Sequence, residues 1–201
     1  SSLDLDWGSH TPTCASNGWG FVVIPDQQQP RQGFYCHGTV PVDIVKIFSG
    51  TKAFIYFLEA IAAILAPIAM AQIMPDHYIA FIDNEAAKFA LLKGYGKQTR
   101  VNHLIACFWQ YQARACMVPW IERVSSKANL ADSVSRKDWQ PCQSKGLTRL
   151  HLDLRKIWPI IKKIAIDQEF ATGPAAVELA EALQGAVRGQ LVQRGWKLRT
   201  R

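Results

Sequence analysis

The chain carries acidic residues at several positions where a carboxylate could do chemistry rather than simply face water. Asp83 ends an apolar run that begins at Tyr78. In α/β sheets, ligands and metal ions gather at the carboxyl ends of buried strands. The alternative role for Asp83 is to cap the helix that follows, but Asn84 can already do that. The pattern therefore favours a functional role for Asp83.

Glu59 lies in the middle of the most apolar stretch of the chain. At helical spacing it shares a face with Ala62, Ala63 and Ala66, and such small residues let a helix approach a sheet closely. A buried carboxylate without a partner is costly, so Glu59 should be neutral, paired or bound to a metal ion. The alternative is a glutamate at the solvent edge of the helix.

Two further acidic positions carry competing interpretations. Asp132 follows Asn129 by three residues, so it could instead complete a capping box if Asn129 caps a helix. Asp4 and Asp6 share one face of a short strand predicted over residues 3–7, because alternate strand residues point the same way. Either of these two could reach the same site.

The elements that must position these residues follow from hydrophobic periodicity and turn residues. Strands are predicted over 3–7, 19–24, 34–40, 78–83 and 117–123, and helices over 51–66, 84–93, 101–116 and from 129. The strand over 78–83 is so apolar that we expect it to be buried on both faces. This order of elements indicates an α/β fold with a mixed sheet covered by helices on both faces.

Charge is distributed unevenly along the 201 residues. The formal net charge is +7, yet residues 139–201 hold eleven Lys or Arg against five Asp or Glu, which is +6 of it. We therefore expect a near-neutral domain over 1–139, a linker near 141–146, and a helical, basic C-terminal extension over 140–201. A basic chain favours nucleic acid as a partner; the alternative is a well-solvated surface.

The cysteines and the apolar stretch bear on the compartment. Five scattered cysteines with no Cys-x-x-Cys pair indicate neither a zinc site nor a disulfide framework, so we expect an intracellular protein, nuclear or cytoplasmic rather than secreted. Residues 53–74 are long enough to span a bilayer, but Glu59 and Pro67 interrupt them. No membrane association is expected, and a membrane subunit is the third and weakest interpretation.

Four segments in order carry a resemblance to a known family. They are Phe81-Ile82-Asp83-Asn84-Glu85-Ala86-Ala87, Lys93-Gly94, Trp120-Ile121-Glu122-Arg123 and Asn129-Leu130-Ala131-Asp132-Ser133-Val134-Ser135-Arg136. Together they resemble the RNase H domain of retroelement reverse transcriptases of the DIRS and Ty3-like groups. The resemblance covers about residues 3–139 and is strongest over 81–136. It implies an RNase H-like mixed five-stranded sheet flanked by helices.

The resemblance also implies a site and a reaction. Asp6, Glu59, Asp83 and Asp132 would be the catalytic residues and the metal ligands, with Asp6 chosen because Asp6-Trp7-Gly8-Ser9 is similar to the family's opening. Two Mg²⁺ ions, for which Mn²⁺ can substitute, would promote hydrolysis of the RNA strand of an RNA–DNA hybrid. A polymerase domain upstream is the implied partner. The alternative is a non-catalytic RNase H-like module that binds nucleic acid or protein.

Residues near the motifs and in the basic C-terminal region are expected to contact the nucleic acid. They are Asn84, Arg123, Lys127, Arg136, Arg188, Arg194, Lys197, Arg199 and Arg201. For the last five, the competing interpretation is that neighbouring apolar residues dock the tail onto the body while the charges face solvent. Those apolar residues are Leu191, Val192, Trp196 and Leu198.

Overall fold

A computed structural model describes residues 17–26, 29, 32–48 and 51–201 of the chain. The strands in this part of the chain are β1 (Gly18–Val23), β2 (Phe34–Thr39), β3 (His77–Ile82), β4 (Val118–Arg123) and β5 (Thr148–Leu150). The first four lie within one or two residues of predicted strands. The strand predicted over 3–7 lies outside the described residues.

Nine α-helices connect and cover these strands within the described residues. They are α1 (Val42–Ile47), α2 (Thr51–Met70), α3 (Glu85–Lys93), α4 (Thr99–Arg114), α5 (Leu130–Ser135), α6 (Gln140–Ser144), α7 (Ile157–Ile166), α8 (Gln168–Ala171) and α9 (Ala175–Gln193). The mixed α/β class expected from the sequence is confirmed. Helix α1 was not predicted.

The described strands form two sheets rather than a single five-stranded sheet. In the first, the order is β1-β2-β5, with β1 antiparallel to β2 and β2 parallel to β5. In the second, β3 runs parallel to β4. Among the described strands, β1 and β3 are therefore each paired along one edge only. Strand β5 lies within residues 140–201, which were predicted to form a helical C-terminal extension.

Helix α2 is the centre of the hydrophobic core. Its residues Ile61, Ile64, Leu65 and Ile68 are completely buried, and it packs against β1, α4 and α9. The predicted end near residue 66 was wrong, because the helix continues through Pro67 to Met70. Proline there removes one backbone hydrogen bond, and burial of the apolar side chains on either side holds the helix together. No described helix is long and apolar enough to cross a membrane.

The C-terminal region completes this core. Ile157 and Ile161 of α7, and Leu179 and Leu183 of α9, are fully buried in the same hydrophobic cluster as Trp19 of β1. The predicted linker near 141–146 was wrong, since these residues form α6 and a turn at Gly146, which leads into β5. The boundary predicted at residue 139 thus separates two stretches of sequence that share one core.

Strand β3 is buried on one face only. Ile82 is 4% exposed, whereas Ile79 and Phe81 are 50% and 58% exposed. The expectation of a strand buried on both faces was wrong, because helices cover only the side that carries Tyr78, Ala80 and Ile82. Alternate residues of a strand face opposite ways, so the other side remains open.

Two glycines of β1 bring α5 onto the sheet. A Cβ atom at Gly18 would lie 2.2 Å from the carbonyl oxygen of Ser135, and one at Gly20 would lie 2.7 Å from Cγ1 of Val134. Val134 is completely buried in a second, smaller cluster on this face, together with Tyr35 and other residues. Because Gly18 and Gly20 have no side chains, α5, and with it Asp132, can approach the sheet closely.

We predict that Gly18→Ala lowers the free energy of unfolding by about 1–3 kcal/mol, because the added methyl group overlaps backbone that cannot move independently. A matched control is Gly185→Ala in α9, where an added Cβ meets nothing within 4 Å. This control should raise stability by about 0.5–1 kcal/mol through helix propensity. Urea denaturation measures both, and equal effects would contradict the proposed close approach.

Candidate carboxylate site

Asp83 lies between the end of β3 and the start of α3. The side-chain oxygen of Asn84 accepts a hydrogen bond from the backbone N–H of Ala87 at 2.9 Å and caps the helix. Helix α3 ends at Gly94, which has a φ of 81°, as predicted. Because Asn84 supplies the cap, the half-buried carboxylate of Asp83 is left for another role.

Glu59 points from the middle of α2 towards Asp83. Its carboxyl group is half-buried and within hydrogen-bonding reach of the Asp83 carboxyl group. Burial first, then the hydrogen bond with Asp83, then the negative charges of Asp83 and Asp132 raise the pKa of Glu59 to about 8. At neutral pH in the absence of metal, Glu59 therefore keeps a proton, which it can donate to the carboxylate of Asp83.

Asp132 approaches from the first turn of α5. Asn129 caps this helix, as expected, and its side chain accepts a hydrogen bond from the N–H of Ala131 at 3.1 Å. The Asp132 carboxylate instead lies 3.1 Å from the guanidinium of Arg136, one helical turn later. Asp132 is thus an ion-paired residue close enough to act electrostatically on Glu59.

The arrangement brings together three of the four predicted site residues. Asp6, and its alternative Asp4, lie outside the described residues. Carboxylate oxygens are the ligands that Mg²⁺ prefers, and a cation at the Glu59–Asp83 pair would replace the shared proton and offset the repulsion. The donor chemistry therefore fits a divalent ion. Among the described residues, however, no three His, Cys, Asp or Glu side chains are disposed around one point as ligands of a metal ion.

The cations near this site differ in their partners. Arg136 pairs with Asp132, whereas Arg123 and Lys127 are exposed at the end of β4 and in the short 3₁₀ turn Ser126–Ala128. Sequence reasoning missed Lys88, whose ammonium group lies 2.7 Å from a Glu122 carboxylate oxygen. This ion pair ties α3 to β4 next to Asp83. The sequence could have indicated this position, because Lys88 follows the capping residue Asn84 by one helical turn.

The C-terminal tail is docked onto the body. Trp196 and Leu198 pack against the main core, and the backbone N–H of Arg199 donates to the carbonyl of Gln72 at 2.9 Å. The docked conformation is therefore the one observed. It still leaves the side chains of Arg188, Arg194 and Lys197 exposed towards solvent. The Arg199 side chain is also exposed, but its guanidinium lies 3.5 Å from the Asp76 carboxylate.

Arg201 is used inside the protein. Its side chain is 6% exposed, and its guanidinium donates to the carbonyls of Met74 at 2.8 Å and Ala115 at 3.1 Å, and to Asp76 at 2.7 Å. The hydrogen bond and charge of Arg201 lower the pKa of Asp76. The expectation that Arg201 contacts phosphate is corrected, because carbonyls at the ends of two elements occupy its donors.

Comparison of the chain with protein-family models, with curated proteins and with solved structures gave no match. A function for this chain is therefore inferred from the arrangement of its carboxylates and from the resemblance carried by its sequence motifs.

We predict that the contribution of Glu59 to the stability of the metal-free protein falls as pH rises. The folded-state pKa of Glu59, about 8, lies above its ordinary value of 4.5. The folded protein therefore binds more protons than the unfolded chain between these values, and stability is lost across that interval by at most about 1.4 kcal/mol per pH unit.

Glu59→Gln should flatten the dependence of stability on pH, while Glu178→Gln, at an exposed position of α9, should leave it unchanged. Urea denaturation between pH 4 and pH 9 in EDTA is the measurement; a Glu59→Gln profile that matches the wild type would contradict the burial of this carboxyl.

Arg201→Gln should lower the free energy of unfolding by about 1–3 kcal/mol, because buried carbonyl acceptors lose their donors. Arg194→Gln removes the same charge from an exposed position and should have little effect. Thermal unfolding of both variants distinguishes a structural arginine from a solvated one.

Proposed function

We propose that this chain is an RNase H-type endoribonuclease, which hydrolyses the RNA strand of an RNA–DNA hybrid with two divalent metal ions. The observation that carries the proposal is the convergence of Glu59, Asp83 and Asp132. They come from the middle of a buried helix, the end of a strand and the start of a second helix. In the metal-free protein the proton on Glu59 offsets the repulsion between these side chains, and a bound cation would do the same in place of that proton.

The proposed fold is one mixed five-stranded sheet, of the RNase H-like type, with β5 as an addition from the C-terminal region. The open edges of β1 and β3 support this proposal, because each lacks a partner among the described strands. In this proposal one further strand joins the two sheets between β1 and β3. The strand predicted over residues 3–7, which carries Asp6, lies outside the described residues.

In this proposal, Asp6, Glu59, Asp83 and Asp132 hold the two Mg²⁺ ions, and Mn²⁺ can replace them. The bound ions supply electrostatic activation of water and stabilisation of charge at the phosphodiester. The protein's own contribution is to position the carboxylates. Glu59 is held by the packing of α2, and Arg136 orients Asp132 through their ion pair. Exposed cations around the site, namely Arg123 and Lys127, bind phosphates of the hybrid, with Asn84 beside them.

Discrimination between RNA and DNA would come from contacts to 2′-hydroxyl groups. An upstream polymerase domain of a retroelement polyprotein is the proposed partner, and the nucleus or cytoplasm the proposed compartment. Both rest on the resemblance of the motifs to retroelement RNase H domains.

A non-catalytic RNase H-like module that binds nucleic acid or protein is the second candidate. It is favoured by the spacing of the described carboxylates, which does not place three side chains around one metal position. The contribution of the first carboxylate distinguishes the two candidates.

We expect Asp83→Asn to abolish Mg²⁺-dependent cleavage of an RNA–DNA hybrid, by about a thousandfold or more, since the metal supplies several kcal/mol of transition-state stabilisation. The substitution keeps the shape of the side chain and removes its charge. Asp43→Asn is the matched control, because Asp43 is an exposed residue of α1, 3.7 Å from Lys162. Cleavage is measured on a labelled hybrid, with circular dichroism to verify folding.

The same assay compares Asp6→Asn with Asp4→Asn. Loss of cleavage in only the first would support Asp6 as the fourth carboxylate. A folded wild-type protein that cleaves no hybrid with Mg²⁺ or Mn²⁺ would contradict the nuclease and leave the binding module as the function.

A further inference from the structure

A second site candidate lies away from the carboxylates, at the ends of the parallel strands β2 and β5. A cavity of about 620 Å³ opens there against α7. We call it the β2–β5 groove and define it by His37, Thr39, Lys137, Trp139, Arg149 and Trp158, which are among its lining residues. Three lining residues are Lys or Arg and none is Asp or Glu, so the groove is suited to an anion.

Arg149 packs over Trp139 in this groove. Its guanidinium lies over the indole ring, 4.2 Å from the ring centroid. The ring is itself fixed by Tyr35 and His37, with centroids 6.0 and 5.3 Å away. A guanidinium held in this way keeps its N–H fork for a phosphate and presents a planar face on which a base can stack.

Lys137 is the second cation of the groove and stands in an unusual backbone conformation. Its φ is 64°, in the left-handed region that glycine adopts without strain and other residues rarely adopt. Its side chain is exposed at the groove. Lys137 takes this conformation in the turn that ends α5, where the backbone N–H of Asp138 donates to the carbonyl of Ser133 at 2.9 Å.

The remaining cations are accounted for. Arg155 is already engaged by Asp153, with guanidinium–carboxylate distances of 2.6–3.2 Å. Burial lowers the pKa of His37. The nearby positive charges of Lys137 and Arg149 act in the same direction, whereas the hydrogen bond to the carbonyl of Val134 opposes them. His37 is therefore neutral at pH 7, and Lys137 and Arg149 carry the unpaired charge.

We propose that the β2–β5 groove binds single-stranded nucleic acid, with Lys137 and Arg149 on its phosphates and a base stacked on Arg149. An exposed guanidinium stacked on an aromatic ring, as Arg149 is on Trp139, suits a strand with exposed bases better than an acidic peptide. Helix α5 connects the groove to the carboxylate site, because Asp132 lies in its first turn and Lys137 lies two residues past its end. The site is separate from the carboxylates and does not require them to be catalytic.

The test is the binding of fluorescein-labelled dT12, measured by anisotropy at several salt concentrations in EDTA, so that no metal-dependent cleavage occurs. The double variant Lys137→Gly with Arg149→Gln should bind about tenfold or more weakly, with a log–log salt slope smaller by about 1.4, since each phosphate contact on a single strand contributes about 0.7. The matched control, Lys145→Gln with Lys156→Gln, removes two exposed charges that do not line the groove and should change neither value.

Two further variants separate binding from folding. Lys137→Gly alone should keep or raise stability, because glycine relieves the left-handed backbone, and yet should weaken binding. Arg149→Lys keeps the charge and loses the planar fork, so it should also weaken binding. Wild-type affinity and slope in the double variant would overturn the proposal, as would equally tight binding of a poly-glutamate peptide. Because hybrid cleavage is assayed separately with Mg²⁺, failure of the nuclease proposal would leave this result unaffected.

Discussion

The placement of an ionisable group inside the most apolar helix is the constraint on which this structure depends. Helix α2 contributes the centre of the core and is packed on several sides, so Glu59 cannot move to solvent without disturbing that packing. Its carboxyl group must therefore find a partner at the edge of the core, and Asp83 provides it. The packing that stabilises the protein and the electrostatics of the candidate site thus act on the same element.

The second constraint is the sharing of one core by both halves of the chain. Helices α7 and α9 bury apolar side chains against α2 and α4, and the tail beyond α9 closes over the start of β3 through Arg199 and Arg201. A region that is basic in composition is therefore also structural. Its exposed cations are presented by a packed scaffold rather than by a loose extension.

Helix α5 links the two candidate sites. Its first turn carries Asp132, and its last two residues lie against β1 where Gly18 and Gly20 have no side chains. Lys137, two positions past its end, lines the β2–β5 groove. Because α5 has six residues, a change in how it sits on the sheet would move both ends together. The two candidate sites are therefore coupled through the placement of one short helix.

Local signals in the sequence determined much of this fold. Asn84 and Asn129 cap helices, Gly94 ends one, and four of the predicted strands are present, because caps, turns and side-chain alternation depend on a few neighbouring residues. What the sequence could not determine depends on distant partners: the continuation of α2 through Pro67, the open face of β3, the pairing of β5 with β2, and the burial of Arg201. The proximity of Glu59 to Asp83 and Asp132 likewise depends on residues that are distant in the sequence. Its consequence, a carboxyl group with a pKa near 8, exists only because tertiary packing removes water from residues that are far apart along the chain.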